Sequence, residues 1–236
     1  MIRLQNVSFS YKKEDKVLHS INLELHPGLT LLLGPNGCGK STLLKLASGV
    51  EMPESGSIAI NGYDLWKDEV RARKGLAYLP EHPDLTPYAS IKEIMDLVCR
   101  LREQPLEEGK KVLDFFNLQQ FAHRTIRELS MGQRRRAVFA ACFIGTPSNI
   151  LLDEPLEGMD RHIQKEILAW IENRTQSGAT VVVVSHAIEP FIDLASAAVT
   201  VQSGKAFHST DLPDLYEKKI AFLEQLAEGG LPIQYV

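Results

Sequence analysis

The stretch Gly-Pro-Asn-Gly-Cys-Gly-Lys-Ser at residues 34–41 decides the fold of this chain. It follows a continuous apolar run at 29–33, which is typical of a strand buried on both faces, and it precedes a helical pattern at 41–48. The spacing G-x-x-x-x-G-K-[ST] between a strand and a helix is that of a phosphate-binding loop. Average residue usage would give this spacing by chance in roughly one chain in a hundred of this length, so a glycine-rich turn without a ligand is the weaker interpretation.

Each residue type in this loop has a chemical task. Its three glycines let backbone amides turn inward at little steric cost, and these amides form a nest at a helix N-terminus that attracts anions. Lys40 would reach the β- and γ-phosphates of a nucleotide, the Ser41 hydroxyl would bind Mg²⁺, and Thr42 would contact the α-phosphate. The loop therefore predicts a nucleoside triphosphate with magnesium as the ligand.

Two acidic residues follow a second apolar strand. Asp153 and Glu154 come directly after the run at 150–152 and precede Pro155. In open α/β sheets ligands gather at the carboxyl ends of the strands, so Asp153 is predicted to hold Mg²⁺ near the phosphate loop. Glu154 is predicted to face the γ-phosphate and to accept a proton from the attacking water. A solvated acidic turn is the alternative, and the presence of the phosphate loop disfavours it.

A second helix N-terminus is predicted at residues 129–133, which read Leu-Ser-Met-Gly-Gln. Ser130 and Gln133 have the spacing of a capping box, and a second uncovered helix N-terminus is a second candidate anion site. Arginines follow at 134–136, and a solvated basic surface is the favoured interpretation of them. A structural or interface role is the alternative. A nucleic-acid patch is disfavoured because the cluster is short and the chain carries a net charge of −4.

Length and composition bound the class of protein. The chain has 236 residues, of which 44% are apolar and 24% are charged, so it can form one large domain with a sizeable core. Its three cysteines are far apart and lack zinc spacing, which indicates a reducing compartment. The apolar stretch at 137–144 is far shorter than the roughly 18 residues that cross a bilayer, and residues 1–11 lack the pattern of a signal peptide. A cytoplasmic protein is therefore expected.

The pattern along the chain predicts an α/β fold with a P-loop NTPase core, an N-terminal antiparallel β subdomain and an inserted helical subdomain. The core is expected at about 1–80 and 134–205, where short apolar strands alternate with helices. The helical subdomain is expected at about 81–133, which has many charges and no convincing strand. A helical tail is expected at about 206–236, and the whole of 1–236 is interpreted as a single domain.

Taken in order, these motifs resemble the nucleotide-binding subunit of ABC transporters, and the resemblance covers nearly the whole chain. The segment at 129–133 is similar to the family's LSGGQ signature, with Met131 in place of a glycine, and this signature separates the family from other phosphate-loop enzymes. The other matches are the Walker A loop at 34–41, the Walker B strand with the catalytic glutamate at 150–155, the D-loop at 157–160 and the switch histidine at the end of 181–186.

The resemblance implies that two subunits pack head to tail and hold two ATP molecules between them. Each ATP would contact the Walker motifs of one subunit and the signature of the other, which accounts for two phosphate-binding helix ends in one chain. The implied catalytic residues are Glu154 and His186, and the implied D-loop residue is Asp160. The implied ATP-binding residues are Tyr11, at the adenine-stacking position, with Gly34, Pro35, Asn36, Gly37, Cys38, Gly39, Lys40, Ser41 and Thr42, and the signature residues are Ser130, Met131, Gly132 and Gln133.

Glu81 departs from the commonest pattern of the family. After the strand at 76–79 the family usually places a glutamine that contacts Mg²⁺ and couples to the transmembrane partner, and here Glu81 looks like the occupant of that position. The implied metal-binding residues are therefore Ser41, Glu81 and Asp153. Subfamilies of exporter ATPases carry glutamate there, so the resemblance favours export. A solvated loop carboxylate is the alternative interpretation of Glu81.

The resemblance implies ATP hydrolysis that drives transport, with export favoured, through a separate integral membrane permease. The implied partners are that permease and a second ATPase subunit, as a homodimer, with no nucleic acid. The chain would lie in the cytoplasm, on the inner face of the cell membrane through its partner. A soluble ABC ATPase of an assembly pathway, such as iron–sulfur cluster biogenesis, is the alternative. A phosphate-loop kinase is a third class, and the signature at 129–133 argues against it.

Overall fold

The computed structural model describes residues 1–12, 15–82 and 86–231, so the predicted features at 83–85 and 232–236 lie outside the described residues. No helix of the described ranges is long and apolar enough to cross a membrane. The strands are β1 (Ile2–Lys12), β2 (Asp15–Leu25), β3 (Gly28–Leu33), β4 (Ser55–Ile60), β5 (Tyr63–Asp64), β6 (Leu76–Leu79), β7 (Asn149–Asp153), β8 (Thr180–Val184), β9 (Ala195–Gln202) and β10 (Lys205–Ser209). The α-helices are α1 (Lys40–Ser48), α2 (Glu69–Arg73), α3 (Ile91–Leu101), α4 (Leu106–Phe115), α5 (Met131–Phe143), α6 (Arg161–Gln176) and α7 (Tyr216–Ala227).

The strand before the phosphate loop, β3, lies inside a six-stranded sheet of order β10-β9-β3-β8-β7-β6. All neighbouring strands are parallel except β10, which is antiparallel to β9 at one edge. Every residue of β7 and β8 is buried, as expected for parallel strands covered on both faces. The carboxyl ends of β3, β7 and β8 consequently meet along one edge of the sheet, which is where ligands of α/β sheets bind.

A second, antiparallel sheet of order β2-β1-β4-β5 covers the other side of α1. Apolar side chains of β1, β2, β4 and α1 form one buried cluster with Leu32, Leu151 and Val182 of the large sheet. Burial of this shared surface stabilises the packing by about 25 cal/mol per Å², and it fixes the position of the loop that precedes α1. The predicted α/β class with an N-terminal antiparallel subdomain is confirmed.

The segment between β6 and β7 is helical, and its helices α3, α4 and α5 pack around the buried Phe116. Arg102, at the end of α3, donates hydrogen bonds to the backbone carbonyls of Ala141 at 3.0 Å, Ile144 at 2.6 Å and Leu76 at 3.4 Å. Burial lowers the pKa of Arg102, and the carbonyl end of α5 favours a positive charge there. Arg102 therefore fastens α3 to the end of α5 and to β6.

The C-terminal part differs from the prediction of a helical tail at about 206–236. β10, at Lys205–Ser209, extends the core sheet, and α7 begins only at Tyr216. The edge strand β10 is poor in apolar residues, so pairing with β9 rather than its own pattern determines it. Leu212 stays outside the helix because it precedes Pro213, and proline disfavours helical backbone at the residue before it.

The end of α7 lies against the phosphate loop. The Gln202 side-chain amide donates to the Gly229 carbonyl at 2.6 Å, and a side chain added at Gly229 would come within 3.3 Å of the Pro35 ring. Glu228, just after α7, borders a hollow of about 250 Å³ together with Lys40. The residues just after α7 thus pack against the loop at 34–41.

Candidate functional site

The loop at 34–41 is folded around its own lysine. Lys40 Nζ donates to the carbonyl oxygens of Gly34 at 2.7 Å and of Pro35 at 3.1 Å. Gly34 has a φ of +133°, and a Cβ atom there would lie 2.4 Å from the carbonyl oxygen of Val201, so only glycine fits between the loop and β9. The ammonium group is held inside the loop by these bonds, where its charge attracts anions.

The N-terminus of α1 is open toward the same loop. Its N-cap, Gly39, has a φ of +109° and offers no side-chain hydrogen bond to the first turn of the helix. Asn36 and Gly37 are exposed beside it, while Cys38 is half-buried, and burial raises the pKa of the Cys38 thiol. Free amides and the positive end of the helix dipole make this terminus suited to binding a phosphate group.

A cleft of about 570 Å³ opens over the loop and brings most of the predicted site residues together. Clefts of roughly 300–1,000 Å³ are of the size that holds small-molecule ligands. Its walls come from the antiparallel sheet, α1, the segment after β6 and the ends of β7 and β8. The residues that line it are Tyr11, Val17, Asn36, Gly37, Gly39, Lys40, Ser41, Thr42, Glu81, Asp153, Glu154, Val184 and His186.

Tyr11 borders the cleft from the antiparallel sheet. Its hydroxyl oxygen is 3.3 Å from Thr42 Oγ1, and its ring meets the Phe9 ring edge-on with centroids 4.9 Å apart. The residue is nevertheless 54% exposed. Tyr11 is therefore anchored on two sides while part of its aromatic surface stays accessible to a flat ligand such as a base.

Asp153, at the end of β7, is almost fully buried. Burial raises the pKa of its carboxyl, a hydrogen bond with the Ser41 side chain lowers it, and the nearby Glu81 carboxylate raises it. Burial is the largest of these effects, so the pKa of Asp153 is raised although Ser41, Arg135 and Lys40 each lower it. Carboxylate and hydroxyl oxygens are the hard donors that Mg²⁺ prefers, so Ser41 and Asp153 fit that ion.

Glu81 lies at the rim of the cleft rather than in its depth. Its side chain is 44% exposed, and one carboxylate oxygen is 3.7 Å from His82 Nε2. Within the described ranges, no group of three His, Cys, Asp or Glu residues is arranged to hold a metal ion. Glu81 can add negative charge to a magnesium site at Ser41 and Asp153, but three carboxylates do not converge on one point.

Glu154 is held in a strained backbone conformation directly after β7. Its φ of +52° is rare for residues other than glycine, and such conformations cost about 1–3 kcal/mol. Its amide donates to the Val184 carbonyl at 2.8 Å, and its carboxylate accepts bonds from the His186 amide at 2.9 Å and the Ser185 hydroxyl at 3.3 Å. The fold therefore fixes both the backbone and the carboxylate of this residue.

The electrostatics of Glu154 suit a proton acceptor. Burial raises the pKa of its carboxyl, while the neighbouring His186 lowers it in part. The imidazole Nε2 of His186 lies 3.7 Å from a carboxylate oxygen of Glu154, and its side chain is largely exposed toward the cleft. A carboxylate whose pKa is raised toward neutrality is a better general base than an ordinary one.

The signature residues lie outside this cleft. Ser130 is the N-cap of α5 in a complete capping box, with its amide 3.0 Å from Gln133 Oε1 and its hydroxyl accepting the Gln133 amide at 3.2 Å. Met131 is 85% exposed, and a Cβ atom at Gly132 would meet only the Gly158 carbonyl, at 4.0 Å. Among the described residues, this helix N-terminus is not part of the lining of the cleft over the phosphate loop.

Asp160 is the N-cap of α6. One carboxylate oxygen accepts bonds from the amides of His162 at 3.1 Å and Ile163 at 3.0 Å, and the Ile163 bond, the larger cause, lowers the pKa of Asp160. Asp160 also lies outside the lining of the cleft. Within one copy of the chain, Asp160 caps the N-terminus of α6.

Three further residues around the cleft were not predicted from the sequence. Arg135, interpreted with its neighbours as solvated, is buried, because it shares the inner face of α5 with Val138 and Phe139. Ser185 donates to Glu154. The hydroxyl of Tyr78 is buried without a hydrogen-bond partner among the described residues, and burial together with the Asp153 charge raises its pKa. The helical spacing of Arg135 with the apolar Val138 and Phe139 could have indicated from the sequence that Arg135 is buried.

The fold and site together define a P-loop nucleotide-binding protein. A comparison with family models shows to which family the chain belongs. The model described as "ABC transporter" matches residues 18–157. This chain belongs to the ABC transporter family, which confirms the resemblance of its motifs.

Curated relatives of the chain are ATP-binding proteins of this family. A "Putative ABC transporter ATP-binding protein" of Bacillus cereus is 31% identical over 87% of this chain and 38% of the relative. A "Sulfate/thiosulfate import ATP-binding protein CysA" of Pectobacterium atrosepticum is 32% identical over 86% of this chain and 64% of the relative. The chain thus spans between 38% and 64% of the length of these two relatives.

Solved structures share the fold. The "Structure of ATP binding subunit of ABC transporter" has a TM-score of 0.80 at 24% identity and covers 89% of this chain and 90% of that chain. The "Dimeric Structure of MJ0796, a Bacterial ABC Transporter Cassette" has a TM-score of 0.77 at 24% identity, with 89% of this chain and 98% of that chain covered. The architecture is therefore that of an ABC cassette.

Proposed function

We propose that this chain binds ATP with Mg²⁺ and hydrolyses it to energise transport through a separate membrane-spanning partner. The observation that carries the proposal is the single cleft that gathers Lys40, Ser41, Asp153, Glu154 and His186 at the open end of a helix. Membership of the ABC transporter family and curated relatives named as ATP-binding proteins support the same conclusion.

In the proposed site, the loop binds the phosphates. Lys40 would exchange its bonds to the carbonyls of Gly34 and Pro35 for bonds to the β- and γ-phosphates, which are stronger because both partners are charged. The amides of the loop and of the start of α1 would bind the remaining phosphate oxygens. Ser41 and Asp153 would hold Mg²⁺, which neutralises phosphate charge when it is bound. The exposed part of Tyr11 would stack on the adenine.

Glu154 would then act on the water that attacks the γ-phosphate. Its carboxylate takes one proton from the water, the oxygen of the water forms a bond to phosphorus, and the bond from phosphorus to the bridging oxygen of ADP breaks. The products are ADP and inorganic phosphate. The His186 amide and the Ser185 hydroxyl keep the carboxylate in place, and the exposed imidazole of His186 would reach the γ-phosphate.

A second copy of the chain completes the proposed site. The N-terminus of α5 lies away from the cleft of its own chain, and it carries the signature residues Ser130, Met131, Gly132 and Gln133. A side chain caps this helix, but its first turn is otherwise uncovered, so it is suited to binding an anion. In a head-to-tail homodimer these residues and Asp160 would contact the ATP bound to the other copy. One solved structure of similar fold is described as dimeric, which supports a dimer.

The remaining parts of the proposal concern direction, place and alternatives. Export is proposed on Glu81 alone, and relatives named as import proteins stand against it.

The partner is proposed to be an integral membrane permease that holds the chain at the inner face of the cell membrane, with no nucleic acid involved. A soluble ATPase of an assembly pathway is the second candidate, and recovery of the chain from membrane fractions together with a permease would exclude it.

The trans role of Ser130 is tested by mixing two inactive variants. Ser130→Arg and Lys40→Ala should each lack ATPase activity alone, because each damages every site of its own homodimer. A mixed dimer has one intact site and one doubly damaged site, so subunit exchange should restore about a quarter of the native rate. The measurement is phosphate release from the separate and the mixed proteins.

The matched control is Ser90→Arg. Ser90 caps α3 in the same kind of box as Ser130, but it does not border the cleft, so this variant should lose helix capping without losing turnover. Full activity of Ser130→Arg by itself would refute the trans role.

Glu81→Gln is expected to ease ATP binding without metal and to raise the Mg²⁺ concentration that gives half of the maximal rate. The Glu81 carboxylate adds to the negative charge around Asp153, which repels phosphate until a cation compensates it. The measurement is a magnesium titration of turnover, with Glu103→Gln, an exposed glutamate outside the cleft, as the control. Equal half-saturating concentrations would remove Glu81 from the metal site.

A further inference from the structure

We propose that Arg135 is a positioning residue that ties the segment containing Glu81 to the backbone of Glu154 and thereby sets the geometry of the proton acceptor. This inference rests on the proposed ATPase function and adds to it a residue outside the cleft lining. Its role would be mechanical, because the guanidinium touches backbone carbonyls and not the reacting atoms.

One guanidinium joins three parts of the chain. Arg135 Nη1 donates to the Glu81 carbonyl at 2.9 Å and lies 3.3 Å from a carboxylate oxygen of Glu157. Its Nη2 donates to the carbonyl of Glu154, and more weakly to that of Asp153 at 3.4 Å. The planar, forked shape of arginine makes this division possible, since each terminal nitrogen bonds in a different direction.

Burial makes the placement costly. Arg135 is 8% exposed, and its Nε atom has no hydrogen-bond partner among the described residues. Among the described residues, the carboxylate paired with it is that of Glu157, whose side chain is 62% exposed. A buried ion with weak pairing contributes little net stability compared with an apolar side chain of similar volume. Arg135 therefore contributes by positioning the groups that it binds rather than by stabilising the fold.

Those groups include the strained residue of the site. Glu154 has a φ of +52°, and its carbonyl accepts bonds from Arg135 and from the Glu157 amide, the latter at 3.2 Å. Without Arg135 the carbonyl keeps the bond from the Glu157 amide and loses the other, so the strained peptide can relax. Relaxation would move the carboxylate away from the His186 amide that aligns it, at 2.9 Å in this structure.

The same guanidinium also holds the backbone of Glu81. The two carbonyls share one rigid group, so a shift of the segment after β6 is passed to the residue that would take the proton. The chain thus has a direct physical link between the rim of the cleft and the proton acceptor, without any change at the nucleotide loop.

The test separates turnover from ATP binding. In Arg135→Gln, kcat is expected to fall about 10- to 100-fold, because a misplacement of roughly 1 Å at a reacting group costs that much. The dissociation constant for MgATP should stay within about threefold of the native value, because Lys40 and Ser41 are untouched. Arg135→Lys keeps the charge but donates from a single nitrogen, so it cannot span the two carbonyls as the separated guanidinium nitrogens do, and its kcat should also fall, by less.

The matched control is Arg102→Gln. Arg102 is a half-buried arginine that is also bonded to backbone carbonyls, at the opposite end of α5, and it is not among the residues that line the cleft. It should lower the thermal midpoint while keeping the kcat of the folded protein. A native kcat in Arg135→Gln, or an equal loss of kcat in Arg102→Gln, would overturn the inference.

A surface variant keeps the test informative if Arg135→Gln does not fold. Glu157→Gln removes only the ion pair, and it is expected to lower kcat a few-fold and to add nothing to the loss in Arg135→Gln, where the ion pair is already absent. Additive losses would overturn the link. A native chain without any ATPase activity would instead refute the proposed function, so the two failures can be told apart.

Discussion

Glu154→Gln is expected to bind ATP and to hydrolyse it about 10²–10⁴-fold more slowly than the native chain, which is the usual cost of removing a general base. Glutamine has nearly the same shape and can still accept the bond from the His186 amide, so the site should stay assembled. The variant also has one negative charge fewer near the γ-phosphate. It should therefore accumulate as an ATP-bound dimer.

Single-turnover hydrolysis and light scattering at saturating ATP measure these two effects. Glu172→Gln, an exposed glutamate on α6 outside the cleft lining, is the matched control and should behave as the native chain does. Native turnover in Glu154→Gln would exclude it as the base. A variant that stays monomeric would count against the proposed dimer.

The pH dependence of turnover provides a second check on Glu154. Burial raises the pKa of its carboxyl, so the group becomes protonated at a higher pH than an ordinary glutamate, whose pKa is about 4.3. A base must be deprotonated, so kcat of the native chain should fall with decreasing pH already above that value. The residual activity of Glu154→Gln should lack this acid limb.

Lys40→Ala is expected to abolish ATPase activity and to weaken ATP binding about 10- to 100-fold, the equivalent of one or two charge-assisted hydrogen bonds. The fold should survive, because the carbonyls of Gly34 and Pro35 lose a donor at a partly exposed loop where water can replace it.

Isothermal titration with MgATP and circular dichroism of the same sample separate binding from folding. Lys45→Ala, which removes an ammonium group from the last turn of the same helix without reaching the cleft, is the control. Unchanged turnover in Lys40→Ala would refute the assignment of residues 34–41 as a phosphate loop.

The strands and helices around the phosphate loop could be predicted closely from the sequence. The β6 strand at 76–79 and the start of α5 after Ser130 lie where the pattern placed them, because apolar runs and capping residues act locally. β10 could not be predicted, since its structure depends on pairing with β9, which is set by contacts distant in sequence. The short β5 and α2 carry too few residues for a periodic signal.

The same distinction between local signals and contacts distant in sequence applies to the site. Residues with fixed spacing, such as Lys40 and Asp153, could be located from the motif alone, and the structure places both in one cleft. Arg135 was misjudged because three consecutive arginines look alike in sequence, while the turn of α5 buries only the middle one. The strained backbone of Glu154 had no sequence signal, since the bonds that its backbone makes, to Val184 and Arg135, join residues distant in the sequence.

The contact between the end of α7 and Pro35 matters for anyone who labels or immobilises this protein. Glu228 borders a hollow beside the nucleotide loop, and Gly229 lies against the Pro35 ring, so a fluorophore or affinity handle attached at either residue would compete for space with Pro35 and Lys40. The exposed Lys110 on α4 lines neither that hollow nor the cleft. A label attached at Lys110 therefore leaves the nucleotide loop undisturbed, and its signal would report on the helical subdomain.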